Sequence, residues 1–458
     1  MNIIPQNEHD ATILSEKMKN FISKYKVGKV LRDSNAYKLK GFAVLSIFIT
    51  AFCTVFLGTS FYRQVKSHSS RVKFGKDTFY RFMNSHHTNW RRFTLLLGRN
   101  IIKETIEPLT SDERKNVLII DDSLYSRSRS KKVELLARVY DHVDHTFTYG
   151  FRLLTMGWSD GNTFLPINHC LLSSANASNR VSPSNARIDS KSNGGKQRKL
   201  AQTEAPQVVL SMLKEAKDAG IPAKHVLCDT WFCSPSSLVN IKSIGFDVVA
   251  MTKKCKNIHF TFNGKKMDVM EIYKNNKKRR GRSKYLLSVE ASVESNGKTI
   301  SVRLVYVRNR NNRKNYLILV TTDMTLSETE IIRLYGKRWG IEVFFKTCKS
   351  YLNLTGECRS ISYDAMTAHV AVVFARYMML AVEKREATDA RSLGELFYIS
   401  MEELADISYL EAVQLVMLYF VNRVKEYGIV DAEILDKMTQ DFMLNLPTCW
   451  KKCLKKCA

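Results

Sequence analysis

Between residues 116 and 251, the chain alternates apolar runs with amphipathic segments in an order that few folds accommodate. Residues 116–122 form a continuous apolar run that ends in two carboxylates, as expected of a buried strand. The segments that follow are predicted as two strands (146–155 and 163–172), a helix (204–218), a strand (225–229), a helix (234–243) and a strand (246–251). The predicted order is therefore three strands, helix, strand, helix, strand.

This order is typical of an RNase H-like α/β core, in which a three-stranded meander is extended by strands that alternate with helices. Residues 173–202 are rich in Ser, Asn, Lys and Arg, so we predict a loop or a disordered segment there. The predicted organisation is a basic helical region (1–110), a core in two parts (111–252 and 323–360), a basic β insertion between them (253–322) and a helical C-terminal region (361–458).

The charge of the chain indicates a polyanionic partner. It contains 71 Lys and Arg against 44 Asp and Glu, a formal net charge of +27. Nucleic acid is the partner that we expect first, and an anionic membrane surface is the second. The alternative is a basic soluble protein without such a partner. The candidate DNA contacts, which solvated surface charge would equally explain, are Arg71, Lys73, Lys76, Arg81, Arg91, Arg92 and the charge run at 274–284.

Cysteine usage and hydropathy indicate a cytoplasmic protein. Ten cysteines are scattered without a Cys-x-x-Cys pair, and the first ten residues contain no apolar leader. Cys449, Cys453 and Cys457 lie on one face of a predicted basic, amphipathic tail. The uncharged residues 41–62 are long enough to span a bilayer, but their Ser and Thr content and Gly58 favour a buried helix, and we find no second candidate span. We therefore predict no membrane association.

Another predicted helix begins at a capping box formed by Ser327 and Glu330, and we predict that it extends to about Leu352. Its predicted buried stripe consists of Leu334, Ile341, Phe345, Cys348 and Leu352. Its polar residues Tyr335, Arg338, Glu342 and Lys349 are separated by 3, 4 and 7 positions and fall within an arc of about 60° beside that stripe. Taken alone, Arg338 and Glu342 are also explained as an ordinary surface pair.

Carboxylates at two predicted strand ends favour a functional role for this helix over an ordinary surface pair. Asp121 or Asp122 ends the first strand, and Asp229 ends the fourth. In a sheet of this order the two ends are neighbours, so with Glu342 three carboxylates would converge. Such a cluster requires a cation, and Mg²⁺ prefers oxygen ligands. Two such ions, roughly 3.5–4 Å apart, activate a water or a 3′-hydroxyl. In a basic protein, this pattern predicts phosphoryl transfer on nucleic acid.

The spacing Tyr335-x2-Arg338-x3-Glu342-x6-Lys349 is similar to the Y-(2)-R-(3)-E-(6)-K signature of bacterial insertion-sequence DDE transposases. The Asp-Asp-Ser run at 121–123 and the residues around Asp229 resemble the other two acidic motifs of that class. The resemblance extends over about residues 70–360. It implies an RNase H-like catalytic core with a β insertion before the Glu-bearing helix, flanked by helical regions.

The resemblance also implies site residues. Asp122, Asp229 and Glu342 would be the catalytic triad and would hold two Mg²⁺ ions, for which Mn²⁺ can substitute. Asp121 is the alternative to Asp122, because adjacent strand residues point to opposite faces and only one can reach the metals. Motif similarity favours Asp122. Tyr335, Arg338 and Lys349 would contact DNA phosphates near the transposon end.

The implied activity is cut-and-paste transposition. Such an enzyme binds the terminal inverted repeats of its mobile element and catalyses two-metal strand cleavage and strand transfer. Its partners would be double-stranded DNA, both element ends and target, and it would act as a homodimer through the helices that follow residue 360. The alternatives are a stand-alone RNase H-like nuclease and a domesticated DNA-binding protein without catalysis.

Overall fold

The computed structural model describes residues 15–66, 74–111, 113–141, 144–279, 283–309, 312, 315–386, 392–428 and 430–445. The chain forms two compact units. The first, here called the helical unit, consists of residues 1–24, 38–79 and 391–458. The second, here called the sheet unit, consists of residues 25–37 and 80–390.

The helices of the described chain fall mainly before and after its strands, as predicted from the sequence. They are α1 (Glu16–Lys24), α2 (Val27–Asp33), α3 (Val44–Cys53), α4 (Phe61–Lys66), α5 (Lys76–Met83), α6 (Trp90–Ile101), α7 (Asn193–Ala201), α8 (Ala205–Asp218), α9 (Pro235–Ile244), α10 (Val269–Asn275), α11 (Glu328–Gly336), α12 (Trp339–Ser350), α13 (Tyr363–Glu386), α14 (Leu393–Glu426) and α15 (Ala432–Asn445).

The strands belong to the sheet unit. They are β1 (Val117–Ser126), β2 (Ala137–Asp141), β3 (Thr146–Ser159), β4 (Phe164–Leu172), β5 (His225–Cys228), β6 (Asp247–Met251), β7 (His259–Phe262), β8 (Lys265–Asp268), β9 (Tyr285–Ser295), β10 (Lys298–Arg308) and β11 (Tyr316–Thr321). Every strand predicted before residue 252 is present, and β2 is an additional short strand.

One mixed, mostly antiparallel sheet contains these strands, in the order β2-β3-β1-β5-β6-β11-β10-β9-β7-β8, with β4 paired to β3. β1 is antiparallel to β3 and parallel to β5, and β5 is parallel to β6. β11 then pairs antiparallel with β6, so the strands of the predicted insertion continue the same sheet. The fold is therefore α/β, with helices packed on a central sheet.

Helices α6 and α13 belong to the core of the sheet unit. All nine residues of β4 are buried, as expected of a strand covered on both faces. A Cβ added to Gly98 of α6 would lie 2.7 Å from Ile167 Cγ2, so glycine permits this close approach of helix and sheet. By length and hydropathy α13 is a second candidate membrane span, contrary to the expectation of none beyond residues 41–62, but its apolar window is 100% buried in the fold.

The uncharged segment 41–62 forms part of the helical unit. Only Val44–Cys53 of this segment is α-helical before a turn at Gly58, which has a φ of 62°. Phe52 and Phe56 are fully buried. Phe52 stacks on Phe21 with ring centroids 6.1 Å apart, and Phe56 packs at an angle against Phe397 with centroids 5.5 Å apart. The segment is thus a short buried helix, in line with the interpretation favoured from its Ser and Thr content.

The prediction of a loop or disorder for residues 173–202 is wrong for the helix α7. Gly194, Gly195 and Arg198 of α7 are buried although the segment is polar. Arg198 donates to Glu134 and Asp364, with the shortest distance to each at 2.7 Å. A Cβ on Gly195 would lie 2.2 Å from the Asp189 carbonyl oxygen. The segment is ordered by ion pairs and backbone packing, which its composition does not reveal.

The single helix predicted from Ser327 to about Leu352 is two helices, α11 and α12, separated by a turn at Lys337 and Arg338. Glycine at 336 and 340 weakens helix propensity on both sides of the turn. The Lys337 ammonium donates to the carbonyl oxygens of Lys115 (2.7 Å) and Asp160 (3.0 Å), which fixes the turn against the sheet. The capping box at Ser327 is present. The predicted apolar stripe is buried at Leu334, Ile341, Phe345, Cys348 and Leu352.

Candidate active site

The register of β1 and β5 determines which carboxylates share a face. Ile120 pairs with Cys228, the last residue of β5, so Asp121 and Asp229 are the next residues on two parallel neighbours. The prediction that β1 ends at its two carboxylates is wrong. The strand continues to Ser126, because β3 remains paired with it. Beyond Ile120, β5 no longer pairs with β1, so this edge of β1 is open. Asp121 and Asp229 therefore lie side by side at this opening.

Asp121 is largely buried and its charge is incompletely compensated. Burial raises the pKa of Asp121 to about 7, the Arg338 guanidinium opposes this rise, and the Asp229 carboxylate adds to it. Asp229 in turn accepts the backbone N–H of Trp231 at 2.9 Å. A buried carboxyl group whose pKa is raised by burial and by a neighbouring carboxylate is the pattern expected where a cation is to be bound.

Arg338 connects Asp121 to Glu342. Its Nη1 lies 2.6 Å from Asp121 Oδ2, and its Nη2 donates to Glu342 Oε1 on the next helical turn. The Arg338 and Glu342 side chains keep 19% and 36% of their surface exposed, so this pair is more than a surface contact. The turn between α11 and α12 thus brings a guanidinium to this edge, and that guanidinium also holds the carboxylate of Glu342.

Asp122 points to the opposite face of β1. Its carboxylate accepts Arg152 Nη2 of β3 at 2.5 Å, and only 10% of its side chain is exposed. The Arg152 guanidinium lies 5.2 Å from the ring centre of Trp231, which is 51% exposed. The structure therefore places Asp121 beside Asp229, links Asp121 to Glu342 through Arg338, and places Asp122 in a separate contact with Arg152.

The other two residues of the Tyr-Arg-Glu-Lys spacing lie at different distances from this edge. Burial raises the pKa of Tyr335, and the Arg338 guanidinium and the Asp229 carboxylate both act on its hydroxyl, the first opposing and the second adding to this rise. Lys349 lies about two helical turns beyond Glu342. Burial lowers the pKa of Lys349 and the nearby Asp141 carboxylate opposes this shift. Tyr335 thus faces the carboxylate edge, and Lys349 faces the end of β2.

The carboxylate edge has the right donors for a divalent cation. Asp121 and Asp229 supply oxygen ligands, the type that Mg²⁺ prefers, and their crowding at a buried position calls for positive charge. Across the part of the chain that the structure describes, no group of three or more His, Cys, Asp or Glu side chains is already gathered for a metal ion. Glu342 completes such a set only if its carboxylate exchanges Arg338 for the metal.

Several candidates from the sequence lie elsewhere. The prediction of Arg91 as a DNA contact is wrong, because Arg91 is buried and donates to Asn168 Oδ1 (3.0 Å) and to the Glu215 carboxylate (2.9 Å). Arg92 donates to the carbonyl oxygen of Asp33. The candidates outside the described residues are Arg71, Lys73, residues 280–282 of the charge run, and the tail cysteines Cys449, Cys453 and Cys457. Each described cysteine is a free thiol.

Arg152, Trp231 and Lys253 lie next to the site in the structure but were not among the site residues predicted from the sequence. Arg152 bonds Asp122, and Lys253 Nζ lies 4.8 Å from the Trp231 ring centre. One available signal was that Arg152 is the one charged residue of β3 and lies among buried neighbours. The second was an aromatic residue two positions after Asp229.

Comparisons with known proteins give the family of the chain. No curated protein sequence matches. Among solved structures, the chain is similar to the Drosophila P element transposase strand transfer complex, with 11% sequence identity, 83% of this chain and 70% of that chain covered, and a TM-score of 0.22. The model of the family described as "DDE superfamily endonuclease" matches residues 44–313, which is more than half of the chain and includes Asp121 and Asp229. The chain belongs to the DDE superfamily endonuclease family.

Proposed function

We propose that this chain is a DNA transposase of the insertion-sequence type with the Y-(2)-R-(3)-E-(6)-K signature. The observation that carries the proposal is the placement of Asp121 beside Asp229, with Arg338 linking Asp121 to Glu342. Membership of the DDE superfamily endonuclease family and the net charge of +27 support the same conclusion. Its substrates would be the double-stranded DNA of its element ends and of its target.

The proposed catalytic core is RNase H-like. The strands in the spatial order β4-β3-β1-β5-β6, with β1, β5 and β6 parallel, support this assignment. Strands β7 to β11 form the proposed insertion, residues 253–322, between the two parts of the core. We propose a DNA-binding role for the helices of residues 1–110, and a role in a homodimer for the helices of residues 361–458.

For the first carboxylate of the triad, the register of β1 favours Asp121, the alternative from the sequence, over Asp122. Asp121 shares a face with Asp229, whereas Asp122 is engaged by Arg152 on the other face. We therefore propose Asp121, Asp229 and Glu342 as the metal ligands. When bound there, two Mg²⁺ ions, or Mn²⁺ in their place, would activate a water or 3′-hydroxyl and stabilise the leaving oxygen.

The other side chains of the site would bind and orient the DNA. Arg338 offers a planar fork that suits a phosphate as well as the carboxylates it now contacts. Tyr335 has a buried hydroxyl that is available to a phosphate oxygen. Lys349 would contact a phosphate farther along the strand. The strand nicked at the inverted repeat would then supply the 3′-hydroxyl that attacks the target.

Strand cleavage and joining on DNA that carries the ends of the element tests this proposal. We expect metal-dependent nicks and joined products from the wild type, and neither from Glu342→Gln or in EDTA. Equal activity of the wild type and Glu342→Gln would contradict the assigned triad. Nicks without joined products would favour the stand-alone nuclease, and binding without cleavage would favour a domesticated protein. Activity in the cytoplasmic fraction would agree with the proposed location.

A further inference from the structure

A series of cationic and aromatic side chains leads from the carboxylate edge into the β insertion. It begins at Trp231, whose backbone N–H bonds Asp229 and whose ring lies 5.2 Å from the Arg152 guanidinium. Lys253 Nζ lies 4.8 Å from the same ring, and Lys254 is the next residue along the chain. The segment after β6 therefore connects the site to the insertion through two adjacent lysines.

The series continues as a stack within the insertion. Lys254 Nζ lies 3.6 Å from the ring centre of Tyr316. Tyr316 stacks on Tyr273 with centroids 4.0 Å apart and an interplanar angle of 24°. Lys278 Nζ lies 4.7 Å from the ring centre of Tyr273. The two rings thus hold one ammonium at each end, and Lys278 belongs to the charge run of residues 274–284.

The ammonium groups of this series lack a carboxylate partner. Within the described residues, Lys253, Lys254 and Lys278 form no ion pair, although many other cations of the sheet unit do. Cation–aromatic contact fixes these groups in position without neutralising them. Trp231 is 51% exposed, which is unfavourable for a large apolar ring in water. Fixed positive charges beside an exposed ring are the elements with which proteins bind phosphodiester backbones and bases.

We propose that Arg152, Trp231, Lys253, Lys254, Tyr316, Tyr273 and Lys278 form one binding track for the DNA strand that leaves the carboxylate edge. Trp231 contacts the nucleotide next to the scissile phosphodiester, and the three lysines contact successive phosphates. Asp122 is a positioning residue in this arrangement, because its carboxylate holds Arg152 beside Trp231. The inference rests on the proposed function only for the identity of the carboxylate edge as the place of strand cleavage.

The test measures DNA binding in EDTA, so that no strand is cut. The probe is a fluorescein-labelled duplex of random sequence with a single-stranded extension at one end, titrated with the full chain at several salt concentrations. We expect Trp231→Ala to weaken binding by roughly fivefold or more, and Trp231→Phe to bind close to the wild type, because stacking on a base survives in phenylalanine. Lys253→Gln and Lys278→Gln should each lower the magnitude of the salt slope by about 0.9.

A matched control pair lies on β3 and β2. Arg138 lies 5.4 Å from the ring of Phe147, which is 65% exposed. Leu154 of β3 pairs with Asp122, and Phe147 lies seven residues before Leu154 on the same strand. This separation is roughly 24 Å along the strand. Phe147→Ala and Arg138→Gln should leave affinity and salt slope unchanged. Thermal melts of all variants verify that each one folds.

The outcomes separate this inference from the proposed function. Unchanged affinity and salt slope in Trp231→Ala, Lys253→Gln and Lys278→Gln would overturn the track, and so would an equal loss in the Phe147 control. If the wild type neither cuts nor joins DNA while the track variants lose binding, the proposed function fails and the track stands. If cleavage requires Asp121 and Asp229 while the track variants bind normally, only the track fails.

Discussion

The guanidinium of Arg338 lies 2.6 Å from the carboxylate of Asp121, although 217 positions separate the two residues in the chain. The same guanidinium bonds Glu342 one helical turn later. Arg338 therefore compensates the charge of two of the three proposed metal ligands. This one contact ties the turn between α11 and α12 to the strand that carries the buried carboxylate.

Neighbouring carboxylates of β1 should differ in their importance for catalysis. Asp121→Asn removes a proposed metal ligand, so we expect cleavage to fall on the order of 1000-fold. Asp122→Asn weakens the contact with Arg152, and we expect a loss of about tenfold or less, since one charged hydrogen bond is removed. Single-turnover cleavage of both variants with Mg²⁺ measures this difference. The reverse order would return Asp122 to the triad.

Removal of the Arg338 guanidinium should destabilise the metal-free protein. Arg338→Gln leaves Asp121 and Glu342 without their cation, and breaking a partly buried pair of this kind costs about 3 kcal/mol. We expect a divalent cation to recover part of this loss, because it supplies the missing positive charge. Denaturant unfolding in EDTA and in Mg²⁺ measures both quantities. Equal stability of Arg338→Gln and the wild type in EDTA would contradict the role of Arg338.

The stability of the sheet unit should fall in mild acid because of a buried histidine. Burial, with a contribution from Arg91, lowers the pKa of His169 to about 3. In the unfolded chain its pKa is about 6.5, so the unfolded state takes up the proton first as the pH falls. Protonation of His169 in the unfolded chain should then contribute a drop of about 1.4 kcal/mol per pH unit to the free energy of unfolding below about pH 6.5. This drop adds to that from His369, whose pKa burial lowers to about 4.

The control for this effect is His169→Gln, which cannot take up a proton. Its free energy of unfolding should start lower than that of the wild type, because a buried group has been exchanged. Its slope between about pH 6.5 and 4.5 should be smaller by about 1.4 kcal/mol per pH unit. Urea titrations at a series of pH values give both slopes. Parallel slopes in the two proteins would show that His169 does not cause the effect.

The ion-paired Arg198 should be a main determinant of the stability of α7. Its side chain is 4% exposed and bonds both Glu134 and Asp364, so Arg198→Met leaves two largely buried carboxylates without their positive charge. We expect a loss of about 3–5 kcal/mol in the free energy of unfolding. Arg180→Met, at an arginine that bonds only loop carbonyls, is the matched control and should cost about 1 kcal/mol or less. A similar loss in both variants would contradict this account.

The sequence by itself determined the elements whose patterns are local. The apolar run before Asp121, the proline at the start of α9 and the capping box at Ser327 each depend on residues within a few positions, and each predicted the element that is present. The residue types of the site followed from a spacing that is also local. These features are readable because secondary structure depends first on neighbouring side chains.

Only the tertiary structure decided how distant residues combine. The parallel register of β1 with β5 puts Asp121, and not Asp122, beside Asp229. The glycines of α7 and the partners of Arg198 order a polar segment that composition assigned to a loop. Strand register and burial depend on contacts between residues more than 100 positions apart, and no short window of sequence contains both partners. For this reason the chemistry of the site was readable from the chain, and its geometry was not.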